Sequence, residues 1–405
     1  MKIGVWLGTY SNPQEGGGFS YVDRLIKAID AYQFDPLVEV CFISEGECSR
    51  NLKREVIKLH YCSESFFHSL LIKFVFINRI KKRVECHFQS KINKERESEY
   101  TKQLVDNNVK LVYYLQQAQC VLQDFPFIST NWDIGHCSTY AFPEIASVDE
   151  FRGRVAFYQN VLPRSLFVFS ESVAGRNELI NYTGINSQKV KIVHIFAGEC
   201  VNHQMNQDEQ KHFLDSKQLK KNFFFFYPAQ FWAHKNHVGL LNAFRAFLKK
   251  YPNYKLVFTG SDKGTLAHVR EKVFSYGIQE SVLFLGFVTT EEINTLYQNA
   301  TSLIMASYFG TTNMPLLEAI ELGCPVICTD LEGHREELGE AGLYFNPTDP
   351  NDIMQKMVKM VEEREDILNL IREQAKKNSF TIENALKEID DHLCEASIIR
   401  DNWDY

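Results

Sequence analysis

Nowhere in its 405 residues does the sequence hold eighteen consecutive apolar residues, so it predicts no membrane-spanning helix. It begins MKIGVWLGTY, without the charged, then apolar, then small-residue layout of a secretory leader, and reads directly as a strand. Its ten cysteines include no CxxC pair. That argues against a disulfide framework, and no Cys/His set has the spacing of a zinc site. A formal net charge of −7 leaves no basic surplus for a general nucleic-acid binder. GxGxxG does not follow the first strand, so dinucleotide binding has little support. No DxD-like cluster stands at a strand end, and metal dependence is not implied. What remains is a cytoplasmic globular enzyme with reduced thiols. Its length exceeds one typical core, which predicts two domains.

Apolar strands alternate with amphipathic helices through most of the chain, the pattern of an α/β fold with parallel sheet. Between Gly198 and Asn222 that pattern gives way to polar residues. The sequence therefore predicts a first domain over 1–198, a linker over 199–222 and a second domain over 223–380. A helical tail over 381–405 is expected to return to the first domain.

The most informative stretch lies in the second half. Thr301–Ala306 reads as a buried strand and Gly310-Thr311-Thr312-Asn313-Met314 as a loop. Asn313 can cap a helix that has Pro315 in its first turn and continues through Leu317 and Glu318 to about Gly323. Unpaired N–H groups at Thr312, Asn313 and Met314, at the positive end of the helix dipole, suit a phosphate or diphosphate. Glu318 suits the hydroxyls of a sugar carrying those phosphates. An ordinary βα turn has the same pattern. Earlier, Phe223–Pro228 reads as a strand buried on both faces, and Gln230, Lys235 and Asn236 follow it at a helix start. Lys235 is either a point charge for a phosphate oxygen or a plain exposed lysine.

In the first half, Gly16, Gly17 and Gly18 stand between a strand over Ile3–Leu7 and a helix over Phe19–Ala31. They admit a close ligand, or simply make a flexible turn. Over Leu71–Lys110, Lys and Arg outnumber Asp and Glu ten to five, beside the aromatic run Phe66–Ile77. Such a segment suits an anionic membrane surface or a solvated domain face. A strand over Phe127–Thr130 opens into Trp132-Asp133-Ile134-Gly135-His136 and Phe142-Pro143-Glu144. Loops at strand ends are where α/β folds place chemistry. Asp133 can order either that loop or the His136 imidazole. A further strand ends in Ser170 and Glu171, whose role the sequence leaves open.

Taken in order, these motifs resemble the retaining glycosyltransferases of family four, which have the two-domain GT-B fold. Pro315, Leu317-Glu318-Ala319 and Gly323-Cys324-Pro325-Val326 match the family's donor-binding helix. Glu318 resembles its ribose-binding glutamate, while Gly310 replaces the other glutamate of the motif. The Lys235-Asn236 loop resembles the diphosphate loop, with Gln230 where the family carries arginine. Gly16–Gly18 match the glycine loop facing donor and acceptor. Gly260 and Val288 match strand ends beside the nucleotide. Trp-Asp-x-x-His followed by Phe-Pro-Glu resembles a subgroup acting in cell-surface polysaccharide synthesis, in which a histidine at the place of His136 contacts donor sugar or acceptor near the anomeric carbon.

The resemblance implies transfer of a hexose from a nucleotide-diphosphate sugar to a saccharide or lipid-linked acceptor, with retention of anomeric configuration. His136, Lys235 and Glu318 are the implied catalytic residues, with Asp133 on the acceptor side. No cofactor and no metal are expected, because lysine and the helix dipole would replace the cation. No nucleic-acid partner is expected, and the basic segment would make any peripheral contact with the inner face of a membrane. Gly310 and Gln230 keep open a non-catalytic relative that binds a sugar nucleotide or a partner protein. A GT-B nucleotide-sugar epimerase is a third reading.

Overall fold

The computed structural model describes residues 1–8, 16–61, 93–117, 119–139, 142–146 and 148–403. The aromatic and basic run over 66–83 lies outside them. Two parallel sheets organise the chain. The first contains β1 (Lys2–Trp6), β2 (Glu39–Glu45), β3 (Val56–Leu59), β4 (Val109–Gln117), β5 (Phe127–Asn131), β6 (Val168–Ser170) and β7 (Val190–Ile192), in the order β3-β2-β1-β4-β5-β6-β7. The second contains β8 (Phe224–Pro228), β9 (Lys255–Thr259), β10 (Val282–Gly286), β11 (Ser302–Met305), β12 (Val326–Thr329) and β13 (Gly342–Phe345), in the order β10-β9-β8-β11-β12-β13. Every pairing is parallel. This is the α/β architecture with two parallel sheets that the strand–helix alternation implied.

The strands form where apolar runs are long enough to be covered on both faces. Phe224, Phe225, Phe226 and Tyr227 have no exposed surface at all. Sheet order then fixes where a ligand can sit. The chain winds away from β1 and β4 in opposite directions, and likewise from β8 and β11. A crevice opens beyond the carboxyl ends of strands at such switch points. The loops after β1, β8 and β11 are those that carry the glycines, Lys235 and Thr312.

Three local expectations are corrected. The helix expected from Phe19 spans Gly17–Ala31, so Gly17 and Gly18 are its first turn and only Gly16, at φ 89°, is a loop residue. The polar stretch expected as linker folds in part as the helix Gln207–Ser216, started by a reciprocal Asn206–Glu209 capping box and anchored by buried Phe213 and Leu214. Asn313 precedes the helix Met314–Glu321 as expected, but its side chain does not cap it. The last helix, Ile382–Arg400, lies on the first half: Asp390 accepts the Asp35 amide at 3.1 Å, and Lys191 pairs with Glu395 at 2.7 Å. Among the described residues no helix is long and apolar enough to cross a membrane.

Candidate functional site

The loop after β8 is shaped by a close backbone approach. Gly260 sits at φ +129°, and a Cβ there would stand 2.6 Å from the Ala229 carbonyl oxygen and 2.9 Å from the Gln230 nitrogen. Only glycine fits such a position. Gln230 accepts a hydrogen bond from the Trp232 indole at 3.0 Å. A Cβ on Gly16 would come within 2.4 Å of Gln230 Nε2, so the glycine loop of the first half meets this residue directly. Asn236 is left-handed at φ 54°, accepts the Gly239 amide at 3.2 Å and donates to the Pro347 carbonyl at 2.9 Å. One end of its side chain thus holds the helix start and the other ties the loop to the segment after β13, so both are engaged within the second half.

Lys235 is held by its backbone, whose carbonyl accepts the Tyr227 hydroxyl at 2.7 Å. Its ammonium makes no ion pair among the described residues. Burial pulls its pKa down to about 8, while the charges of Asp133 and Glu144 pull it back up. It is thus a partly desolvated cation at neutral pH, as a site for a diphosphate would require. Next to it, His234 has Nδ1 at 2.5 Å from Glu144 of the first half and stacks on Phe309 with ring centres 4.3 Å apart.

The loop after β11 is tied down residue by residue. Gly310 stands at φ +137°. The Thr311 hydroxyl donates to the Trp132 carbonyl at 3.0 Å, and the Thr312 hydroxyl to Glu171 at 2.8 Å. The Asn313 amide, expected to be free, donates to Glu337 at 2.9 Å. Its side-chain nitrogen lies 2.7 Å from His334 Nε2. His334 Nδ1 sits 2.7 Å from the Thr329 carbonyl, which can only accept. Nδ1 therefore carries the proton and Nε2 accepts from Asn313. Burial drives the His334 pKa down to about 4, which keeps this tautomer uncharged. Thr312 and Met314 keep backbone N–H groups without a partner among the described residues. Leu317, expected against the donor, has no exposed surface and belongs to the core, on the apolar face of its helix. Val288 is nearly buried in the loop after β10.

Glu318 is almost wholly buried at the same helix start. The Tyr297 hydroxyl donates to its Oε2 at 2.7 Å. A Cβ on Gly198 would stand 2.2 Å from Oε1, so that carboxylate oxygen lies against the chain where the two halves join. Burial raises the Glu318 pKa against hydrogen bonds from Tyr297, Cys200 and the Gly198 amide.

On the first half, Asp133 accepts the Gly135 amide at 2.8 Å and the Arg154 guanidinium at 2.9 Å. Of its two expected roles it takes the first, ordering the loop. His136 follows in the short helix Gly135–Ser138, 1% exposed, with its ring 4.7 Å from Tyr158 and 6.4 Å from Phe151. Neither ring nitrogen has a hydrogen-bond partner among the described residues. Burial and the Arg154 charge hold its pKa below the ordinary value. Glu171, at the tip of β6, is pushed up to about 8 by burial.

One crevice therefore gathers Gly16, Gly17, Asp133, Glu144 and Glu171 from the first half, with Gln230, Lys235 and Thr311–Met314 from the second. Gly17 lies 3.9 Å, measured from its would-be Cβ, from the Met314 methyl. His136 stands behind Asp133 in the wall of the first half. Sequence reasoning gave no role to Glu144, His234, Glu336 or Glu337. Each finds its partner through the packing of distant segments, and only the polar end of β6 signalled Glu171 in advance. Among the described residues no group of three or more His, Cys, Asp or Glu side chains is placed to hold a metal ion.

Comparison with known proteins agrees with this fold. The family described as "Glycosyl transferases group 1" matches residues 208–378. The O-antigen chain mannosyltransferase B of Escherichia coli is 28% identical over 131 residues, 32% of this chain and 34% of that protein. The O-antigen chain mannosyltransferase RfbU of Salmonella typhimurium is 23% identical over 234 residues, 58% of this chain and 61% of that protein. The chain thus spans between about a third and three fifths of the length of these relatives. Among solved structures, Anabaena HepE in complex with UDP-glucose superposes with a TM-score of 0.68 at 15% identity, covering 98% of this chain and all of that one. WaaG, a glycosyltransferase involved in lipopolysaccharide biosynthesis, gives 0.67 at 14% identity, over 96% of this chain and 98% of that one. Residues 208–378 match the model of the group 1 glycosyl transferases, and they stand in a chain with the GT-B fold.

Proposed function

We propose that the protein transfers a sugar from a nucleotide-diphosphate sugar to a saccharide or lipid-linked acceptor with retention of anomeric configuration. The observation that carries this reading is that Gln230 and Met314 meet the glycine loop, while Lys235 is partly desolvated and, among the described residues, its ammonium and the Thr312 and Met314 amides have no partner. Those groups oppose charge growing on a leaving diphosphate. Gln230, where the resembled family has a cation, adds only dipoles, so Lys235 carries most of that stabilisation. Glu318, in the same helix, is assigned to the ribose hydroxyls by its match to the resembled family's glutamate.

The donor C–O bond to the diphosphate breaks as the acceptor oxygen bonds to the anomeric carbon on the same face. The acceptor proton passes to the departing diphosphate oxygen, with no protein nucleophile. A neutral His136, in the wall behind Asp133, would accept or donate one hydrogen bond to sugar or acceptor. The reaction proceeds without a metal, the lysine and helix dipole serving instead, and the protein acts from the cytoplasm. The names of the mannosyltransferase relatives and of the UDP-glucose complex support a nucleotide-sugar donor.

The test is transfer by purified protein from a panel that includes UDP-glucose and GDP-mannose, with proton NMR of the product's anomeric centre. An inverted product overturns retention. A second reading, a non-catalytic binder of sugar nucleotides, draws on the Asn313 amide being taken by Glu337. Nucleotide binding without turnover on any donor would favour it.

A further inference from the structure

The donor loop is also where the two halves are fastened together. Thr311 and Thr312 donate their hydroxyls across the crevice, to the Trp132 carbonyl and to Glu171. Ser172 donates back to the Thr311 carbonyl at 3.3 Å. Gly175, in the helix Val173–Thr183, leaves the room this requires, since a Cβ there would stand 3.2 Å from Thr311 Oγ1. Beside these contacts, Glu336 of the second half accepts the Val173 and Ala174 amides at 2.8 and 2.9 Å, filling the start of that helix.

We propose that Glu171 and Thr312 are a closing pair that sets the donor loop in its working position only when the two halves come together. The proposal rests on the donor-site reading above and assigns both residues a positioning role. Thr312 reaches Glu171 with its hydroxyl, while its own amide has no partner among the described residues, so closure also sets the position of that amide. An ionised Glu171 would be costly there. It is buried, with the phenols of Tyr21 and Tyr113 and the carboxyl groups of Asp133 and Glu337 within its field. Loss of water, with repulsion from Asp133, favours the neutral acid and outweighs the Thr312 hydrogen bond, which by itself favours the ionised form. The sign follows. An acid whose pKa is raised on closure holds the halves together best below its ordinary range, and that contribution falls away as pH climbs towards about 8.

The experiment is small-angle scattering of the full chain, with UDP and with GDP, from about pH 5 to about pH 9. It compares wild type, Thr312→Val, Thr312→Ser and Glu171→Gln, with circular dichroism to confirm folding. The expected result is a larger radius of gyration for Thr312→Val and none for Thr312→Ser, because the serine restores the hydroxyl. Wild type expands as pH rises, while Glu171→Gln, which cannot ionise, does not. Thr312→Val as compact as wild type at every pH overturns the proposal, and so does a Glu171→Gln protein that expands as wild type does. If neither nucleotide binds any variant while this order of sizes holds, the donor-site reading fails and the closing pair stands.

Discussion

Asn313 gives its backbone N–H to Glu337 at 2.9 Å, inside the helix start that would otherwise present three open amides. Glu337 has no exposed surface, its other carboxylate oxygen has no partner among the described residues, and burial raises its pKa well above the usual carboxylate range. Burial thus biases it towards the neutral form while it shapes the loop, and among the described residues the helix start is left with the Thr312 and Met314 amides.

Removing that acceptor should show in stability before it shows in binding. Glu337→Ala leaves a buried donor unpaired and opens a void, and should cost about 1–3 kcal/mol in denaturant unfolding. Glu337→Gln keeps an oxygen in place and should cost less than half as much. Equal losses in the two variants would mean that the Asn313 bond contributes nothing.

Gly333 tests the same loop from beneath. A Cβ there would stand 1.9 Å from the Thr311 carbonyl oxygen, which is backbone and cannot swing away. Gly333→Ala should therefore displace the loop, lower stability by about 1–3 kcal/mol and weaken the thermal shift produced by UDP or GDP. An alanine protein with an unaltered melting temperature and unaltered nucleotide shift would show that the loop moves freely.

How much of this could be read in advance depends on sequence distance. Phe223–Pro228 and Thr301–Ala306 announced buried strands because an apolar run needs no partner to be recognised. The strand–loop–helix units around Lys235 and Glu318 were legible because strand, loop and helix start lie within a few residues of one another. The Asn313–Glu337 bond joins residues 24 apart and the Glu144–His234 contact residues 90 apart, so no local pattern carries them. The helix Gln207–Ser216 was obscured by polar composition. Its Asn206-x-x-Glu209 cap was in plain view, but Phe213 and Leu214 offer too few apolar positions to mark a face.

Glu318 offers a direct measurement of the ribose assignment. Its carboxyl is tied to the Tyr297 hydroxyl and lies against Gly198, so a conservative change is needed to keep those contacts. Glu318→Gln should fold with a melting temperature near wild type yet lose most of the stabilisation that UDP or GDP provides, since only binding to the native state raises it. A full nucleotide shift in this variant removes Glu318 from the donor site.

Lys235 predicts a pH dependence. A lysine whose pKa falls to about 8 in the empty site is charged below that value and neutral above it. Nucleotide-diphosphate affinity, measured by calorimetry, should hold steady on the acid side and decline as pH rises through about 8. Bound diphosphate would itself favour the charged amine and shift the decline upward. Lys235→Ala should bind weakly at every pH, with the decline gone. A wild-type decline that survives in Lys235→Ala would have to come from another group.

His136 is the sharpest test of where the chemistry lies. Its ring packs against Tyr158 and Phe151, so its bulk serves the core, while its two nitrogens satisfy no group among the described residues. His136→Phe keeps the bulk and removes the nitrogens. If the imidazole only fills space, this variant melts with wild type and transfers sugar at the same rate. The expected result separates the two, with stability kept and kcat reduced by about 10²–10⁴, the usual contribution of a positioned polar group in a transition state. Unchanged turnover from His136→Phe would move the reaction centre towards Asp133, Glu144 and Glu171, the polar groups that the first half brings to the crevice.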